Sequence, residues 1–163
     1  MIFMTVGSML PFDRLVQAMD DWAARHPQAE VFAQIGAGAY EPRHMKWTRT
    51  LSRREFDEYT RDAELVVAHA GVGSVVTALE FRKPIVVLPR FAAAKEHTTN
   101  HQVDTAKWMQ GRPGVFVAMA ETDLDQAIID AQAANQVEPL PSSAPPEFIA
   151  KIRAFLVESL DRK

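Results

Sequence analysis

Residues 65–89 read LVVAHAGVGSVVTALEFRKPIVVLP, and the order of events in this stretch decides the fold. Leu65 to Ala68 is apolar without alternation, the form of a strand buried on both faces. It runs directly into the glycine-rich turn His69-Ala70-Gly71-Val72-Gly73-Ser74. A helix is expected from about Ser74 to Arg82, Pro84 ends it, and Ile85 to Leu88 is a second apolar run closed by Pro89. Strand, turn, helix, strand is one βαβ unit, and the strands of such a unit lie parallel.

The flanks repeat the pattern. Ile2 to Val6 and Val31 to Ile35 are apolar runs stopped by Gly7-Ser8 and by Gly36-Ala37-Gly38. Between them Phe12, Leu15, Val16, Met19, Trp22 and Ala23 recur at three- and four-residue spacing, which predicts an amphipathic helix that has ended by Pro27. Ser52 to Arg61 reads as a short polar helix, with Ser52 as cap and Glu55 as its capping-box partner. Downstream come a polar loop through His97, a helix to about Gln110, a strand at Val115 to Val117 and a helix from Thr122 to Ala134. Apolar strands alternating with helices predict an α/β fold, a Rossmann-like three-layer domain around a parallel sheet. Its expected extent is residues 1–137. A proline-rich linker over 138–146 follows, then an amphipathic helix over 147–163 with Phe148, Ile149, Ile152, Phe155, Leu156 and Leu160 on one stripe.

Composition excludes several classes of chemistry. With no cysteine there are no disulfides, no thiolate nucleophile and no cysteine-bound zinc or iron–sulfur cluster, which fits a reducing cytosol. A formal net charge of −3 supplies no overall basic field, so a nucleic-acid partner is not expected. The opening MIFMTVGSMLPFDRL lacks a basic n-region, and Gly7, Ser8 and Pro11 interrupt its apolar run, so it reads as strand and turn rather than a signal peptide. No run approaches the roughly 20 apolar residues that span a bilayer. Work at a membrane would need another component to bring the chain there.

In an open parallel sheet, ligands bind beyond the carboxyl ends of the strands, where Gly7-Ser8, Gly36-Ala37-Gly38, His69 to Ser74 and Arg90 to His101 all fall. In HAGVGS, Gly71 and Gly73 let a ligand approach the backbone while the following helix start offers N–H groups and its positive end, an arrangement suited to a diphosphate. The same glycines also serve simply to shape a tight turn. The spacing is not G-x-G-x-x-G, because Val76 stands at the third place, and no Walker lysine is present. Glu80 lies six residues past Ser74, about 9 Å along the helix, as either a ribose-binding carboxylate or a surface residue. Glu96, His97, Asn100, His101 and Gln102 gather polar groups suited to a sugar. His97 and His101 stand at i, i+4, but no third metal ligand accompanies them, so no metal is expected. Asp123-Leu124-Asp125 has the D-x-D form of metal-dependent glycosyltransferases, yet it falls at a helix start where carboxylates serve as caps. Asp13 has the same explanation.

HAGVGSVVTALEFRKPIVVLPR followed by KEHTTNHQ resembles the donor-binding domain of family 28 glycosyltransferases, enzymes of the GT-B fold. The opening TVGS-x₂-PFDRL and the EH-x₃-HQ ending are most similar to single-domain members, which include bacterial exopolysaccharide glucuronosyl- and galactosyltransferase subunits and the eukaryotic chitobiose synthase catalytic subunit. The likeness covers about Met1 to Met109. It implies that Gly7, Ser8, Gly71, Val72, Gly73 and Ser74 cradle the diphosphate of a UDP-sugar with His69 nearby. Glu80 would bind the ribose, and Glu96, Asn100, His101 and Gln102 would face the sugar or its phosphate. Uracil would lie near Gly36 and the Leu51-Ser52 segment. Ser8 stands where the family has threonine, which keeps the hydroxyl.

The resemblance also implies half of a GT-B enzyme. The acceptor half would be a membrane-anchored partner that presents a lipid-linked acceptor, holding this chain at the inner face of the cytoplasmic membrane. Transfer would invert the anomeric centre without a metal or other cofactor, with His69 or Arg90 helping the helix start to stabilise the leaving diphosphate. Glucuronic acid would need a cation such as Arg90 or Lys95; galactose and N-acetylglucosamine would not. His101 and Asp13 are the local candidates for a general base. A non-catalytic nucleotide-sugar sensor and a small hydrolase using His97 and His101 are the competing expectations.

Overall fold

The computed structural model describes residues 1–134 together with Val137 and Ala150, so the expected linker and, apart from Ala150, the expected C-terminal helix lie outside the described residues. Six parallel strands form one sheet: β1 (Ile2–Thr5), β2 (Val31–Gln34), β3 (Lys46–Thr48), β4 (Leu65–His69), β5 (Ile85–Leu88) and β6 (Val115–Val117). Their order is β3-β2-β1-β4-β5-β6. Helices α1 (Asp13–Arg25), α2 (Arg53–Asp62), α3 (Val72–Glu80), α4 (His101–Met109) and α5 (Leu124–Ala133) connect or follow them.

Alternation along the strands makes two cores. Ile2, Met4, Val67, Val86 and Leu88 pack with Leu15, Val16 and Met19 of α1 and with Leu124 and Ile128 of α5. Phe3, Val66, Ile85 and Val87 point the opposite way, against Val75, Ala78 and Leu79 of α3 and Ala106 and Met109 of α4. The sheet is therefore covered on both faces, as its unbroken apolar strands require. The Rossmann-like three-layer arrangement matches the sequence expectation.

One strand was not expected, and several boundaries shift by one or two residues. β3 (Lys46–Thr48) was not legible, because Lys46 is exposed and Trp47 and Thr48 half-buried on the outer edge, leaving no apolar run to read. Helix α3 begins at Val72, two residues before the expected start, with Gly71 as N-cap. Ser52 caps α2 as expected: its hydroxyl accepts from the Glu55 amide, and the Glu55 carboxylate accepts from the Ser52 amide at 2.8 Å.

The connection from β2 to β3 is held by α1. Asp20 is 1% exposed, and its carboxylate accepts from the amides of Arg43 and His44 and from the Tyr40 hydroxyl at 2.7–3.0 Å. Burial opposes ionisation of Asp20, but these donors outweigh it and hold its pKa below the ordinary 3.8. A depressed carboxylate pKa contributes stability that is present above the unfolded value and is lost as pH falls through the folded one. Asp20→Ala is therefore expected to cost about 3 kcal/mol near neutral pH by leaving the two loop amides unpaired. In urea melts the gap from wild type should narrow as the pH falls below 4; a gap independent of pH would contradict this account.

Candidate functional site

The strand order reverses between β1 and β4: the chain winds outward to β2 and β3 on one side and to β5 and β6 on the other. The loops leaving β1 and β4 thus diverge, and a crevice opens between them. His69, at the carboxyl end of β4, fills the base of that crevice. Gly7 has a positive φ of 78°, and a Cβ there would come within 2.7 Å of the His69 ring. A Cβ on Gly71 would overlap the same ring at Nε2. These two glycines are needed in the first place to seat an imidazole. Burial, followed by the nearby Arg90 charge, lowers the His69 pKa to about 4, so the ring is neutral at pH 7. The Thr5 backbone slightly favours the protonated form, yet no well-formed hydrogen bond reaches Nδ1. His69 can offer a hydrogen bond to a ligand but no positive charge.

Gly73 is different. A Cβ there would meet nothing within 4 Å, so its backbone faces open space. It lies in the first turn of α3, where N–H groups have no intrahelical partner. Gly71 at the N-cap supplies no side-chain cap. Val72 is 56% exposed and Val76 37%, so the helix start is open to solvent rather than covered by the fold. The turn thus divides its labour: Gly71 accommodates His69, and Gly73 leaves the uncapped amides open to approach. Thr77, one turn on, is buried and donates to the Gly73 carbonyl at 3.0 Å. Because α3 starts at Val72, exposed Glu80 stands eight residues from the helix start, about 12 Å rather than the 9 Å expected.

A buried polar network ties the ends of β1 and β2 together. The Thr5 hydroxyl donates to Gln34 Oε1 at 2.6 Å and accepts from the Gly7 amide at 3.0 Å. Gln34 Nε2 donates to the carbonyls of Gly7 and Arg49. Gly36, at φ 65°, follows at once, and Arg49 donates to the carbonyls of Gly36 and Gly38. Ser8 is exposed beside Gly7. The Ser52 hydroxyl, assigned by position to the uracil end, is engaged in its cap with Glu55.

Several expected ligand groups are instead engaged within the protein. Arg90 is 3% exposed; its guanidinium donates to the carbonyls of Val6 (2.8 Å) and Leu10 and stacks on Phe12. It braces the β1 loop through Nη2, while its buried Nε has no hydrogen-bond partner. Both Glu96 oxygens accept from Arg14, at 2.7 and 2.8 Å, and one also accepts from the Phe91 amide. Glu96 is therefore a structural anchor rather than an open acceptor for sugar hydroxyls. The buried Gln102 side chain accepts from the Arg90 amide. Asp13, proposed as a fallback base, accepts from the Ala39 amide at 3.0 Å, and a Cβ on Gly38 would overlap its other oxygen. It holds the Gly36–Ala39 loop to α1.

What remains outward-facing is narrower. Exposed Asn100 uses its side-chain oxygen to accept from the Ala92 amide. His101 pairs Nδ1 with the Thr99 hydroxyl at 2.9 Å, and its ring packs edge-on to His97 with centroids 4.3 Å apart. Partial desolvation and the neighbouring His101 and Arg90 keep the His97 pKa below its ordinary value. No third His, Asp or Glu joins these two as a metal-binding group among the described residues. The D-x-D aspartates serve structure: Asp123 accepts from the Ala120 amide and Asp125 pairs with Arg25. Two surface hollows, of about 590 Å³ beside Asp20 and Tyr40 and about 430 Å³ beside Arg82 and Ala131, do not include the glycine turn. With Ser8, Val72 and Gly73 exposed, the glycine turn is a ledge open to solvent.

Residues 1–151 match the glycosyltransferase family 28 C-terminal domain, and the chain belongs to that family. Among solved structures it is similar to the kitacinnamycin glycotransferase, with a TM-score of 0.62 and 17% identity over 81% of this chain and 34% of that one. It is similar to the solution structure of ALG13, with a TM-score of 0.57 and 20% identity over 90% and 92% of the two chains. SnogD from Streptomyces nogalater gives a TM-score of 0.51 and 19% identity over 94% and 42%. At these identities the likeness is one of fold, that of GT-B glycosyltransferases. The chain spans about a third of the kitacinnamycin enzyme and nearly all of ALG13. No helix among the described residues is long and apolar enough to cross a membrane.

The two glycines should separate on substitution. Gly73→Ala is expected to leave stability unchanged or raise it by up to about 1 kcal/mol, because alanine is the better helix former and the space is free. Gly71→Ala should lower stability by about 2 kcal/mol, since the buried ring beside it must move. Equal thermal denaturation midpoints for the two variants would overturn this division.

Proposed function

We propose that this chain binds the diphosphate of a UDP-sugar at the start of α3 and supplies the donor half of an inverting glycosyltransferase. The observation that carries the reading is the uncapped helix start at the β1/β4 crevice, where Gly73 leaves the amides open. Family membership supports it. Fixed N–H dipoles stabilise the charge that develops on a departing diphosphate without reorganising, which is how a transferase lowers its barrier. His69, neutral and held behind the turn, contributes position and at most a hydrogen bond. The acceptor hydroxyl attacks the anomeric carbon from the face opposite UDP, and the protein needs no metal for this.

The open ledge supports a second polypeptide. Excluding water from the reacting groups requires a surface opposite α3, and exposed Val72, Val76 and Met9 rim the face that would meet it. That partner is proposed to be membrane-anchored, to bind a lipid-linked acceptor and to carry the general base, with His101 the remaining local candidate. Exopolysaccharide synthesis is the proposed setting, and association with the membrane is through the partner. Glucuronic acid is the favoured sugar; with Arg90 engaged internally, Lys95 is the cation left for its carboxylate. Glu80, exposed on α3, is the proposed ribose carboxylate.

Isothermal titration with UDP, ADP, NAD and divalent metals tests the reading. UDP should bind without added metal and in EDTA. Gly73→Ala should weaken UDP about tenfold, the equivalent of one charge-assisted hydrogen bond. Binding of NAD or metal alone, or UDP affinity unaffected by Gly73→Ala, would rule it out.

A further inference from the structure

Arg14 joins several segments near the ledge. It lies in the first turn of α1 and reaches across the carboxyl ends of the strands. Its Nε and Nη2 donate to the two oxygens of Glu96 at 2.7 and 2.8 Å, a bidentate pair, and Nη2 also donates to the Pro89 carbonyl at 2.7 Å. Nη1 lies 3.1 Å from the Glu121 carboxylate ahead of α5. The guanidinium sits between the rings of Phe12 and Phe91, 5.1 and 4.6 Å from their centroids. Side-chain exposure is 17% for Arg14 and 10% for Glu96, so solvent screens this pair far less than the surface ion pairs.

The consequence falls on the segment between β5 and α4. This segment contains no helix or strand of its own, and Lys95 within it has a positive φ of 59°. Its course is fixed by contacts that include Glu96 and the Pro89 carbonyl on Arg14, the Phe91 amide on Glu96, the Glu96 amide on the Phe91 carbonyl, and the Ala92 amide on Asn100. Glu96 is the side chain of these that reaches out of the loop to α1, beside the Pro89 carbonyl at the start of the segment. On either side of Glu96 stand Lys95, His97, Asn100 and His101, of which His97 is half-buried and the others exposed.

Resting on the donor-binding reading above, we propose that Arg14 and Glu96 form a positioning pair that sets the β5–α4 loop against α1. The pair thereby governs recognition of the hexose end of a nucleotide sugar while leaving the diphosphate contacts to α3. Neither side chain touches the ligand. Arginine rather than lysine is required, because only a planar fork meets both carboxylate oxygens and stacks between two rings at once.

The test compares wild type with Glu96→Gln, which keeps the shape but removes the charge, and Arg14→Lys, which keeps the charge but loses the fork. Asp125→Asn, which removes the exposed Arg25 pair, is the control. Affinities for UDP and for UDP-glucuronic acid, UDP-galactose and UDP-N-acetylglucosamine are measured by titration calorimetry beside the melting temperature. Both variants should keep UDP affinity within about twofold and weaken the preferred UDP-hexose about fivefold, the loss of one hydrogen bond. Backbone amide shifts should move from Phe91 to His101 and stay unchanged at Val72 to Ser74. Equal losses for UDP and UDP-hexose would mean that the pair merely stabilises the domain, and unchanged UDP-hexose affinity would mean that it positions nothing; either result overturns the inference. A wild-type chain that binds no uridine nucleotide would instead sink the donor-binding reading, a failure seen before any variant is compared.

Discussion

The imidazole of His69 occupies the gap that opens where the sheet changes its direction of winding, and the site is arranged around it. A side chain there has to be accommodated by both diverging loops. Gly7 from β1 and Gly71 after β4 provide the room because neither carries a Cβ. Seating the ring this way brings the β4 loop round with Gly71 as the N-cap of α3, which leaves the first-turn amides of the helix without a side-chain cap. Burial and the nearby Arg90 charge then keep the ring neutral, so the imidazole adds no positive charge of its own to that of the helix start.

Two arginines set the surroundings of that ring. Arg90 leaves β5 and braces the β1 loop through the Val6 and Leu10 carbonyls. Arg14 leaves α1 and holds the β5–α4 loop through Glu96. Their bonds run in opposite directions across the same crevice, with Phe12 beneath both guanidinium groups. On the β2 side, Asp13 and Asp20 do comparable work two turns apart on one face of α1, each accepting backbone amides of the β2–β3 connection. Helix α1 is thus the frame against which the variable loops are fixed. Loops carry buried polar groups safely only when such partners are supplied, which explains why charged residues on an amphipathic helix point inward here.

The alternation of strands and helices was legible because each element carries its own periodic signal over enough residues to be read. The Ser52-Glu55 capping box was legible for the same reason, being a local pattern at fixed spacing. β3 was not, since an edge strand exposed on one side need not be apolar. Thr5 in the run IFMTV and Gln34 in the run VFAQI were the local hints of the buried network at the strand ends, polar residues where the pattern asked for apolar ones. For Arg14, Asp20 and Glu96 no local hint exists. Their partners lie 82 residues away for Arg14 and Glu96, and about two dozen for Asp20 and the amides it accepts.

The amino-acid sequence by itself determined that a parallel sheet would form, that its glycine turns would gather at the carboxyl ends, and that one of them would open a helix, because hydrophobic period and backbone permissiveness are properties of short segments. Which charged and polar side chains near those turns remain free for a ligand was decided only by the tertiary structure. Glu96 and Arg90 read as ligand groups and Asp13 as a candidate base in one dimension, and in three each makes hydrogen bonds within the protein. Whether a carboxylate or guanidinium is free depends on what long-range packing sets within 3 Å of it, and no spacing along the chain encodes that distance.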